Sequence, residues 1–260
     1  MSQLDVTEDP RKAIVANELA WHEQESQRRF SLDRFLYAAP AFDRIVQSSF
    51  TFLQMKPGEL VLDMGCGEGK ETLLLARQGL TVISTDLSRM QLGRARQLIQ
   101  EKAANARVCF VQANAEELPF AANSFRIIYG KAILHHLDPG LSAQEVKRLL
   151  RQDGRASFAE PLAHHPLFWA ARRLTPQLHT KDEHPLPLSE LRRFGAHFGQ
   201  AEIEVHFLFA PVSYAARRLP GAEHIFRRLH SLLQDIDQWL FDHFRALKEL
   251  AWYGLVKVEK

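Results

Sequence analysis

The chain has 260 residues, 46% of them hydrophobic and 25% charged, with a formal net charge of +2. These proportions are ordinary for a folded globular protein and exclude collagen-like, disordered and disulfide-stapled chains. So small a charge is no footprint of nucleic-acid binding, and no apolar run is long enough to span a bilayer.

Two cysteines, Cys66 and Cys109, point to a reducing compartment. The N-terminal stretch carries Asp5, Glu8 and Asp9 and reads as neither signal nor transit peptide, so a cytoplasmic protein is expected.

Residues 11–55 read as helices, with apolar side chains recurring from Ile14 and Leu19 through Phe35 and Leu36 to Phe50 and Leu53; Pro40 interrupts them. Pro57-Gly58 is a turn, after which the texture changes. Short apolar runs predict strands over 59–63, 80–85, 107–112, 125–129, 155–159, 202–209 and 251–258, the last closing the sheet at its edge. Between them the pattern predicts helices over 70–78, 89–104 with Ser88 as N-cap, 142–151, and from Ser189 to about His197. Residues 162–188 hold four prolines and no clean strand, and residues 212–247 are helical with a break at Pro220-Gly221. Strand–helix alternation of this kind implies an α/β fold with a doubly wound, parallel sheet and right-handed crossovers.

The charge is uneven. Residues 141–230 hold 13 basic and 9 acidic side chains, including four arginine pairs (172–173, 192–193, 217–218 and 227–228). Eight of the twelve histidines also lie between His164 and His230. Two readings are open: solvated helix faces, or a basic lobe that meets an anionic acceptor or a membrane surface.

The sharpest motif is the run Val61-Leu-Asp-Met-Gly65-Cys-Gly67-Glu-Gly69-Lys70, a strand entering a glycine loop that opens a helix. Such a loop lets backbone approach a ligand, and the helix N-terminus offers unpaired N–H groups. A Walker A loop fails here, because Met64 stands where its first glycine should and Glu71 follows Lys70. A dinucleotide fingerprint fails at Lys70, where its third glycine belongs. What fits is an acid, Asp63, at the head of an alternating glycine loop, able to position the loop and face a ligand ammonium. Asp86 ends the next strand, where a carboxylate can accept both hydroxyls of a ribose.

Those residues, with Ser84-Thr-Asp-Leu-Ser88, Asn114-Ala-Glu-Glu-Leu-Pro-Phe120, Ser124-Phe-Arg-Ile-Ile-Tyr129 and Leu134-His-His-Leu137, resemble the class I S-adenosylmethionine-dependent methyltransferases. The resemblance is to the small-molecule "type 11" branch, covers about residues 58–161 and fades over 162–250. It implies a Rossmann-like, seven-stranded, mostly parallel sheet with an antiparallel last strand, a helical N-terminal extension and helical insertions near the C-terminal end. One methyltransferase domain is then expected: a helical cap over 1–56, a cofactor-binding core over 57–161, an acceptor lobe over 162–250 and a final strand over 251–260. The implied cofactor is S-adenosylmethionine, with no metal. Gly65, Cys66 and Gly67 would lie along its methionine moiety with Asp63 near the ammonium. Asp86 would hold the ribose, and Leu87 and Met90 would pack on the adenine. Asn114 stands where the family has aspartate; its amide oxygen can still accept from the adenine amino group, and Ala115 would offer its N–H. Lys131 stands where a cation would repel the sulfonium.

The chain lacks the Asn/Asp-Pro-Pro-aromatic signature of nucleic-acid and glutamine amino-methylating enzymes, and neither cysteine follows a proline as a cytosine C5 enzyme needs. The expected acceptor is therefore a hydroxyl or activated carbon of a small or amphiphilic metabolite, not nucleic acid. Two alternatives are a lipid-linked acceptor at a membrane surface, with peripheral membrane contact, and a non-catalytic cofactor-binding partner protein. His135 and His136 follow the fourth strand, at the sheet's carboxyl end where ligands bind, and a histidine suits proton removal near neutrality. Glu160 ends the fifth strand on the same edge. Tyr37, in the N-terminal helices, is a candidate for closing over the donor. His164-His165 and Lys181-Asp-Glu-His184 fall in the proline-rich insertion, a candidate acceptor wall.

Overall fold

The computed structural model describes Ala20 and residues 42–174, 185–218, 221 and 223–260. Tyr37, most of the N-terminal helical extension and residues 181–184 lie outside the described residues. Seven strands form one sheet in the order β3-β2-β1-β4-β5-β7-β6. They are β1 (Leu60–Met64), β2 (Thr81–Asp86), β3 (Val108–Gln112), β4 (Phe125–Lys131), β5 (Leu150–Pro161), β6 (Gln200–His206) and β7 (Tyr253–Glu259). The first five pair in parallel, and β7 runs antiparallel to both β5 and β6. The helices are α1 (Asp43–Leu53), α2 (Lys70–Arg77), α3 (Arg89–Lys102), α4 (Pro139–Leu149), α5 (Pro166–Leu174), α6 (Leu188–Gly195) and α7 (Glu223–His243).

Alternate residues of the central strands feed two cores. Val61, Val82 and Ile127 meet Leu53 and Leu75 on one face, whereas Leu62, Ile128, Phe158 and Val256 meet α4 and α6 on the other. Ser88 caps α3, its hydroxyl accepting from the Gln91 N–H at 3.3 Å, as the sequence predicts.

Three expectations are corrected. Strand β7 does not close the sheet; it is inserted between β5 and β6, and β6 forms the edge. The reason is compositional: Tyr253 to Val258 is buried throughout, so it needs cover on both sides, while Glu202 and Glu204 suit an edge. Helix α4 begins earlier than predicted because Asp138 caps it, accepting from the Gly140 and Leu141 N–H groups, with Pro139 at its first position. Chain freed at its other end extends β5 back to Leu150. Ser189 lies inside the first turn of α6, and Pro187 holds the capping position.

Candidate active site

The carboxyl ends of β1, β2 and β4 bring the glycine loop, Asp86 and the histidine pair together. The Gly65 and Cys66 N–H groups both donate to the Thr85 carbonyl at 2.9 Å, which ties the loop to β2. Gly65, Gly67 and Gly69 have φ of 74°, 50° and 83°, a region that favours glycine. Their surroundings differ. A Cβ on Gly65 would meet Ile133 at 2.6 Å, and one on Gly69 would meet Ala95 at 2.7 Å, whereas one on Gly67 would meet nothing within 4 Å. The outer two positions are glycine for packing, and the middle one leaves the loop open.

Asp86 has both carboxylate oxygens engaged with backbone. Oδ2 accepts from the Gly67 N–H and Oδ1 from the Ser88 N–H, each at 2.8 Å. A carboxylate has about four acceptor directions, so two are left for hydroxyls of a ligand. Leu87 and Met90 are half-buried beside it, and the Gln112 side chain donates to the Leu87 carbonyl at 3.0 Å. This arrangement, open at Gly67 with a half-used carboxylate next to it, fits a ribosyl cofactor.

Asp63 lies beneath the loop and is almost fully buried. Its Oδ2 accepts from the Thr72 hydroxyl at 2.5 Å. Burial pushes its carboxyl up to about 7, against the opposing pull of the Thr72 bond. Cys66 is buried too, and burial raises its thiol well above the usual range, so it is no nucleophile.

The loop after β3 is clipped from α4. Glu145 Oε1 accepts from the Leu118 N–H at 2.8 Å, and Arg148 donates to the Phe120 and Leu118 carbonyls while pairing with Glu145. Within that loop Asn114 Oδ1 accepts from the Glu116 N–H at 3.0 Å, and Ala115 is buried. The Glu145–Arg148 clip has no signature in the sequence, since both residues sit on a helix far along the chain from the motif they hold.

Glu160 is completely buried and gathers the turn that follows β4. Its Oε1 accepts from the Ile133 and Leu134 N–H groups at 2.9 Å, and its Oε2 lies 3.4 Å from the His135 N–H and 2.8 Å from His135 Nδ1. An acceptor already taking backbone donors requires Nδ1 to carry a proton, so in the neutral ring it is Nε2 that presents the lone pair. Nε2 has no hydrogen-bond partner among the described residues and is not sealed from solvent. The His136 ring packs on that of His135, with centroids 4.1 Å apart. Ile133, next in this turn, is the residue that Gly65 makes room for. The loop after β1 and the histidine turn after β4 are therefore neighbours.

Lys131 does not face the ligand side as a free cation. Its Nζ pairs with Glu71 at 2.7 Å and lies 4.6 Å from the Phe42 ring centroid. The Tyr129 hydroxyl lies 3.1 Å from the other Glu71 oxygen. Glu71 thus absorbs the charge that would oppose a sulfonium. His165 is buried in the second half, with Nε2 2.9 Å from the Leu208 carbonyl.

The fold, the glycine loop and the Asp86 carboxylate at the end of β2 agree with the arrangement expected of class I S-adenosylmethionine-dependent methyltransferases. Residues 62–158 match the family model described as a methyltransferase domain. The chain is 36% identical over 124 residues to "Methyltransferase GfsG" of Streptomyces halstedii, covering 47% of this chain and 45% of that relative. The match thus spans about half the length of each protein.

Among solved structures the fold is similar to phosphoethanolamine N-methyltransferase 2 of Haemonchus contortus in complex with S-adenosyl-L-methionine. The TM-score is 0.64 at 18% identity, covering 92% of this chain and 60% of that one. It is also similar to geranyl diphosphate C-methyltransferase of Streptomyces coelicolor A3(2), with a TM-score of 0.60 at 15% identity, covering 94% and 98%. At these identities the likeness is one of fold. Among the described residues no helix is long and apolar enough to cross a membrane.

Proposed function

We propose that the chain methylates a hydroxyl or an acidic carbon of a small or amphiphilic metabolite, with His135 as the proton acceptor and Glu160 as the residue that positions it. The observation that carries this reading is the His135–Glu160 contact at 2.8 Å, which fixes the tautomer and leaves Nε2 open. When bound, S-adenosylmethionine supplies a methyl group on a sulfonium whose leaving group is a neutral thioether, so the transfer itself needs no acid. What the protein adds is placement, exclusion of water and removal of the acceptor's proton. His135 takes that proton at Nε2, and the Glu160 carboxylate steadies the resulting cation through the Nδ1–H bond. Asp86, Gly65, Gly67, Leu87, Met90, Asn114 and Ala115 would hold the donor, and residues 162–250 would wall the acceptor.

The test is a pair of variants assayed against acceptors with an ionisable hydroxyl or carbon. His135→Ala should lower turnover about 10²–10⁴-fold with cofactor affinity unchanged. Glu160→Gln would place an amide donor against Nδ1 and hold the ring with Nε2 protonated, the wrong tautomer for a base. It should therefore lose turnover to a similar degree while calorimetry still shows cofactor binding. Full turnover in His135→Ala would remove the base assignment.

A further inference from the structure

Helix α7 (Glu223–His243) buries polar side chains and exposes apolar ones. Its body-facing positions include His230, Gln234 and Asp237, buried between Phe226 and Phe241. All three polar side chains are accounted for: Asp237 accepts from the Leu208, Phe209 and Ala210 N–H groups, and His230 contacts Ser213 and Gln234. The exposed side carries an apolar row among its polar residues. Ile225, Leu232, Ile236 and Trp239 are 57%, 56%, 41% and 55% exposed. With half-buried Leu229 they follow at intervals of four, three, four and three residues, the repeat that keeps a straight seam between two paired helices. Trp239 lies near Phe244, which extends the apolar surface past the helix end.

The charges beside the seam select the occupant. Its one polar flank carries Arg228, then Asp235 and Asp242, each one heptad further on. Its other flank is Phe226, Leu233 and Leu240, which turn into the chain's own body and offer no charge. Leu232 stands seven residues from Ile225 and seven from Trp239. A two-fold axis through Leu232 therefore pairs Ile225 with a second copy's Trp239. The same axis brings like flanks together and sets Arg228 within about 1.5 Å, along the axis, of the level of that copy's Asp235. A parallel pairing would set charged flank against apolar flank and gain nothing. Asp235 is 64% exposed and paired with Arg44 at 2.7 Å, so its carboxylate can serve a second cation. An anionic membrane is the poorer fit, because the acids Asp235 and Asp242 border the seam.

From the repeat, its exposure and the self-complementary charges we infer that α7 is the interface of an antiparallel, two-fold homodimer. The test is sedimentation of the full chain between about 1 and 100 μM. The wild type should sediment at twice its 29.8 kDa mass. Leu232→Glu, at a solvent-facing position, should weaken association at least ~30-fold. Arg228→Glu should weaken it by about tenfold, and adding Asp235→Arg should return it to near the wild-type value. A wild type that stays monomeric throughout, or a dimer indifferent to Leu232→Glu, overturns the inference. So does a monomer that floats with phosphatidylglycerol vesicles and loses that binding in Leu232→Glu, which would make the seam a lipid-facing surface.

Discussion

The turn after β4 and the turn after β6 are built alike and differ in one respect. Both leave the carboxyl end of a strand, and both are held by a buried carboxylate that gathers three successive backbone N–H groups. Glu160 takes those of Ile133, Leu134 and His135; Asp237 takes those of Leu208, Phe209 and Ala210. Each turn also meets a histidine. His135 gives Nδ1 to the carboxylate and keeps Nε2 open, at 9% exposure. His165 gives Nε2 to the Leu208 carbonyl and is 1% exposed, and burial lowers its pKa from the ordinary histidine value. The lesson is that a carboxylate nest is a general device for ending a strand. The proposed base stands where a ring joins the nest and still reaches solvent.

The largest test of that contrast is Asp237→Ala. It strands buried donors at Leu208 and Ala210 and should cost about 3–5 kcal/mol of stability by urea melts, with cofactor affinity of the folded fraction unchanged. A loss of cofactor affinity would show that the two turns are not independent. Asp86 is a third nest, with two backbone donors and spare acceptor directions. Asp86→Ala should weaken S-adenosylmethionine binding about 10²–10³-fold by calorimetry, and unchanged affinity would end the ribose assignment.

Asp63 is the carboxylate with no nest, and its pH dependence should set it apart. Its carboxyl sits at about 7 in the fold against 3.8 in the unfolded chain. An acid raised in the folded state costs nothing below its unfolded value and destabilises progressively as pH rises through the gap. Wild-type stability should therefore fall relative to Asp63→Asn between about pH 4 and 7, by up to ~4 kcal/mol, and run parallel above that. Parallel curves across the whole range would mean that Asp63 keeps an ordinary carboxyl. The smallest effect is expected at Gly67→Ala. With open space at Cβ it should cost only about 1 kcal/mol for positive φ, seen by thermal melts, yet lower cofactor affinity at least tenfold. Gly65→Ala, driven into Ile133, should lose more stability.

Much of the first half was legible because its information is local. The alternating glycines, Asp63 at a strand end and Asp86 at the next lie within one βαβ unit, where sequence spacing nearly equals spatial order. Ser88 as a cap and the five parallel strands were read for the same reason. The position of β7 was not, because a hydrophobic run shows that a strand is buried without showing between which neighbours. Glu160 was visible only as an acid ending a strand. Its partners lie 25 to 27 residues away and are mostly backbone N–H groups, which leave no mark in side-chain patterns. Glu145, Arg148 and Asp237, whose partners are likewise mostly distant backbone groups, were missed on the same account.

By itself, then, the sequence determined the cofactor loop: its acid head, its glycines and the carboxylate that ends the next strand are short-range geometry, set by backbone φ and strand length. It also fixed the absence of a compact motif for any particular acceptor. Only the tertiary structure decided which histidine is oriented, where the Lys131 charge goes, and that α7 buries His230, Gln234 and Asp237 while leaving an apolar row exposed. Those choices depend on hydrogen bonds between segments far apart in the chain, where burial makes each unpaired donor costly.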